Sequence, residues 1–99
     1  MDRVSFFNRI DGINCPELIS QFFDQFIALE SLIDDRCLIS VLSNTETAIE
    51  FQVNFPDQRS AGLALQNILR PDKVIQVYNR PITVNAVPLA DSIIKIRLE

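Results

Sequence analysis

Ninety-nine residues, 47% of them hydrophobic, suffice for one domain with a single core, and two glycines leave no room for long flexible linkers. Nine basic residues against thirteen acidic ones give a net charge of −4. That balance disfavours binding nucleic acid mainly through phosphates, which needs clustered Lys and Arg.

No apolar run approaches the roughly 20 residues that span a bilayer. Asp2, Arg3 and Asn8 interrupt any leader-like start, and Met1 reads as a natural beginning. Cys15 and Cys37 are far apart, have no His to join them and match no metal spacing. Two reduced thiols in a soluble intracellular protein, cytoplasmic or nuclear, is the expectation, with no membrane partner and no cofactor.

Residues 3–10, RVSFFNRI, are rich in β-formers and closed by Asp11-Gly12, which predicts a first strand. Pro16 near a first helical position opens a helix, with Asn14 or Cys15 near its cap. Ile19, Phe22, Phe23 and Phe26 fall on one helical face, and the period continues through Leu29 and Ile33 before Asp34-Asp35. Residues 37–42 read as a second strand and residues 43–46 as a turn. In residues 48–55, Ile49, Phe51, Val53 and Phe55 alternate with Glu50, Gln52 and Asn54, so one face is buried and one polar.

Asp57 caps a second helix with Ala61, Ala64, Leu65 and Ile68 as its stripe, and Pro71 stops it. Residues 74–78 and 81–87 are extended, separated by a turn at Asn79-Arg80, and Pro88 ends the second piece. In the tail, residues 92–99, Ile94, Ile96 and Leu98 alternate with Lys95, Arg97 and Glu99. An additional strand is the simplest reading, a short helix the other. Capping a sheet edge is its simplest role; covering the open face or accepting a partner strand are the alternatives.

The order βαββαβ predicts an α+β two-layer sandwich, with two helices on one face of a four-stranded antiparallel sheet. Residues 3–87 form that domain and residues 88–99 a C-terminal extension. At this point the chain resembles the RNA recognition motif, a ferredoxin-like fold. Ser5-Phe6-Phe7-Asn8-Arg9-Ile10 is similar to the family's first-strand motif and puts Phe6 at its stacking position, unless the register slips and Phe7 is the exposed ring. Ile19, Phe22, Phe23 and Phe26 have the spacing of its first helix, with Ile27 where a glycine is usual. Phe55, Ala61, Ala64 and Leu65 match its step from third strand to second helix, and residues 80–86 resemble its last strand.

The departure is in the third strand. The family's octamer places aromatics where Glu50 and Gln52 stand here, and its leading basic residue is Ala48. Each base stacked on a ring is worth about 1–3 kcal/mol, so two lost platforms remove about 2–6 kcal/mol. Glu50 adds a carboxylate where phosphates approach. The resemblance then implies a non-catalytic protein–protein interaction module, dimerising or scaffolding within an RNA-processing or ribonucleoprotein assembly. Its partner is another protein or a second copy, and RNA binding is weak or absent.

The alternative is weak single-stranded RNA binding through Phe6, Asn8, Arg9, Arg80 and Asn85, with Glu50 and Gln52 as the further positions of the sheet face. For a protein interface the surplus apolar residues are Leu18, Ile27 and Leu29 on the first helix and Leu63 and Leu69 on the second. Glu17, Asp24, Glu30, Asp34 and Asp35 give the first helix an acidic side. No His, no glycine-rich phosphate loop and no nucleophile in a recognisable setting support an enzyme. The Arg-x-Phe by which some members of the family capture a tryptophan-bearing peptide is absent at residues 79–82.

Overall fold

A computed structural model of the chain describes residues 10–11, 20–33, 36–68 and 73–99. In order, these form β1 (Ile10–Asp11), α1 (Phe23–Leu32), β2 (Leu38–Asn44), β3 (Ile49–Asn54), α2 (Gln58–Ile68), β4 (Val74–Val77), β5 (Arg80–Ala90) and β6 (Ile93–Leu98). Five strands are antiparallel in the order β2-β3-β6-β5-β4, and β1 lies parallel to β2 at its outer side. The architecture is α+β, compatible with a ferredoxin-like plan.

The strand count and order differ from the four-stranded expectation. The tail is a strand, yet it does not cap an edge. β6 pairs with β3 along Ile49↔Leu98 to Asn54↔Ile93 and with β5 along Val84↔Leu98 to Ala90↔Ile93. Ile94, Ile96 and Leu98 are wholly buried. A strand with apolar residues on one face and charges on the other meets every demand of a central seat, because both flanks are hydrogen-bonded backbone. β1, the described end of the expected first strand, touches β2 instead, at Ile10↔Ile39 and Asp11↔Ser40.

Alternation sets which side of the sheet is inside. Ile49, Phe51 and Val53 of β3, Ile82, Val84 and Ala86 of β5 and the three β6 residues share one core with Phe22, Phe26, Ala28, Leu29 and Ile33 around α1 and Ala61 of α2. Both helices therefore cover one face. Phe26 meets Phe51 edge-on, with ring centroids 5.2 Å apart and planes at 71°. Gln25 is buried among these residues, and its Oε1 has no hydrogen-bond partner among the described residues. Asp57 caps α2 as expected: its Oδ1 accepts the Ser60 N–H at 2.7 Å, which holds the carboxyl below its ordinary range.

Two local expectations are corrected. The β4–β5 turn is Tyr78-Asn79, both at positive φ (50° and 66°), which marks a two-residue type I′ hairpin, closed by Val77↔Arg80. Pro88 does not end β5: Thr83 and Glu99 bond each other's backbone, so alternation puts Pro88 at a non-hydrogen-bonded position opposite Ile94, where its missing N–H takes nothing from the β5–β6 ladder, and the strand runs on to Ala90.

Candidate functional site

The helices leave the other face of the sheet open, and the registers place its side chains in rows. One row reads Ser43, Glu50, Arg97, Asn85 across β2, β3, β6 and β5; the next reads Ser40, Gln52, Lys95, Val87. Among the described residues no aromatic ring lies on this face: Phe51 and Phe55 are buried on the other side.

The polar groups here are tied to one another. Ser43 Oγ donates to Glu50 Oε1 at 2.7 Å, and Lys95 Nζ lies 3.4 Å from Glu50 Oε2. Arg97 Nε donates to Glu99 Oε1 at 2.7 Å, and Gln52 Nε2 donates to Asn54 Oδ1 at 3.1 Å. The Ser43 hydrogen bond, with help from Lys95 and Arg97, holds the Glu50 carboxyl below its ordinary value, so Glu50 is an anion and not an acid at neutral pH.

A folded-state pKa below the unfolded one stabilises the fold above the ordinary Glu value near about 4.3, and that gain is lost as pH falls through the lower folded value. Thermal melts of Glu50→Gln against the parent chain check this. The parent is expected to be the more stable at neutral pH, with the gap closing through that acidic window. A gap independent of pH would show that the Glu50 charge contributes nothing.

The candidates from the sequence separate on the structure. Glu50, Gln52 and Asn85 share the open face. Arg80 does not, because it has the parity of Ile82 and turns to the helix side, 3.5 Å from Asp24 of α1. Leu29 is no surface residue; it is wholly buried, one step along the stripe from Phe26. Leu63 is 52% exposed on α2. Ile27 is half-buried and, with Ser31, Ile75, Gln76, Val77 and Tyr78, lines a shallow groove of about 360 Å³ between α1 and β4. Phe6, Asn8, Arg9, Leu18 and Leu69 lie outside the described residues.

The groove itself escaped the sequence reading. Its signal is the uncharged run VIQV at residues 74–77, beside a Tyr78 ring stacked on Phe23 of α1 at 6.4 Å. Further exposed apolar side chains, Leu38, Val87 and Leu89, stand toward the end of the open face where β5 finishes.

Among the described residues no three His, Cys, Asp or Glu side chains cluster as a metal site requires, and no helix is long and apolar enough to cross a membrane. Comparison with protein-family models, with curated proteins and with solved structures finds no match for this chain.

Proposed function

We propose that the chain is a non-catalytic protein–protein interaction module, a variant of the ferredoxin-like plan that the RNA recognition motif uses, serving a ribonucleoprotein or RNA-processing assembly inside the cell. The carrying observation is the centre of the open face. Glu50 is engaged by Ser43 and Lys95, and Gln52 by Asn54, where base stacking would need rings. Among the described residues, the two cations on this face stand beside two carboxylates, Lys95 with Glu50 and Arg97 with Glu99, so they leave little positive field to draw phosphates. Exposed apolar positions at the sheet margin suit a protein partner better.

Light scattering on a sizing column, a pull-down from cell extract and fluorescence anisotropy with short single-stranded oligonucleotides test the proposal together. Self-association or a captured protein, with no rise in anisotropy, is expected. A strictly monomeric chain with no protein partner would overturn it. Micromolar oligonucleotide binding lost in Phe6→Ala would put RNA in the partner's place.

A further inference from the structure

β4 ends the sheet, and the hairpin dictates where its backbone points. A two-residue turn makes Val77 and Arg80 a mutually hydrogen-bonded pair. Alternation makes Ile75–Ile82 and Lys73–Val84 bonded pairs as well, and the Val84 N–H does donate to the Lys73 carbonyl, at 3.1 Å. The N–H and C=O of Val74 and Gln76 therefore face outward, with no strand beside them among the described residues.

Residues 74–77 have no charge, no proline and no bulge, whereas on the far side of the sheet β2 is bulged after Val41 and partly covered by β1. Ile75 and Val77 face α1, and the groove there stands open beside Ile27 and Ser31. Val74, on the opposite side, is 46% exposed.

We propose that β4 pairs antiparallel with β4 of a second copy, about a two-fold axis through Ile75. This rests on the interaction-module reading and names the partner. The outward groups of Val74 and Gln76 fix the register: Val74 pairs with Gln76 of the second copy and Gln76 with its Val74, closing four main-chain hydrogen bonds. Two-fold symmetry matches these donors and acceptors to themselves, and no charge on VIQV opposes the approach.

Residues directly opposite in an antiparallel pair face the same side. Both helical layers then lie on one side of a continuous sheet. Ile75 meets its own symmetry mate there, and Ile27 of each α1 closes over the groove. The contact is small beside the roughly 1,600 Å² of a standard interface, so micromolar affinity is expected.

Cross-linking reads the register. Cα atoms of a non-hydrogen-bonded antiparallel pair stand about 4.5 Å apart, within disulfide reach. In a Cys15→Ser background, with Cys37 buried, Ile75→Cys should form a covalent dimer under oxidised glutathione. Two thiols are oxidised to one disulfide while the glutathione disulfide is reduced to two thiols. Val74→Cys, diagonal to its own mate, should remain largely monomeric. Gln76→Pro removes an outward N–H without touching the β4–β5 ladder. It should weaken self-association about tenfold or more in sedimentation equilibrium, with an unchanged melting temperature.

A dimer that persists in Gln76→Pro and does not cross-link at position 75 would overturn β4 pairing and leave the interaction-module reading standing. A monomer at every concentration, with no protein partner, would overturn both.

Discussion

Removal of residues 92–99 is expected to abolish cooperative folding of the whole domain, not to trim an appendage. β6 is bonded on both sides, to β3 and to β5, and its loss would leave β2-β3 and β4-β5 as separate hairpins. It also takes away Ile94, Ile96 and Leu98, none of which has measurable exposure. At about 1.5–3 kcal/mol for each buried aliphatic side chain, the burial alone is worth about 5–9 kcal/mol as an upper figure. The net stability of a domain is about 5–15 kcal/mol, so the deletion removes a quantity of the same size as the total. Amide proton dispersion and a thermal melt decide the matter. A truncated chain that still melts in one sharp transition would show that the sheet closes without β6.

The second large effect is expected at Phe51→Ala. Phe51 lies in the middle of β3 with no exposure, and its ring packs in a T-shaped pair with that of Phe26 from α1, so it joins the helical layer to the sheet. Deleting such a ring costs about 3–5 kcal/mol, through lost transfer energy and the cavity left behind. The aromatic pair itself contributes about 0.5–1.5 kcal/mol of this, which a double-mutant cycle with Phe26→Leu would isolate. Urea denaturation gives both values. A loss below about 1 kcal/mol would mean that the two layers are held elsewhere.

Much of the fold is legible in the sequence where a single period governs it. The alternation in β3 and in β6 is plain from Ile49 to Phe55 and from Ile94 to Leu98, and the structure keeps both inward faces. Asp57 signals its cap three residues ahead of the N–H it accepts. Strand order is a different kind of information. Alternation says which way Ile96 points but not whether β6 has one neighbour or two, because backbone pairing carries no side-chain signature.

The misreading of Arg80 has a similar source. Placing the turn one residue late hides that Arg80 closes the hairpin with Val77, and hence that it shares the parity of Ile82 and meets Asp24. Leu29 follows Phe26 by three positions and Phe22 by seven, so the helical period alone already places it inside. The open-face residues Glu50 and Gln52 were readable because their strand alternates cleanly. The edge at β4 was not, since an edge is a property of the finished sheet.

The central seat of β6 also bears on how the protein is made. Its residues follow every other described element, so during synthesis β3 and β5 each emerge with one flank of peptide groups unmatched and apolar residues uncovered. The sheet cannot zip from its beginning; it has to wait for β6 and then admit it between β3 and β5. Such late, long-range closure lowers the folding rate relative to a sheet assembled from sequential neighbours and lengthens the interval in which nascent chains can pair with each other.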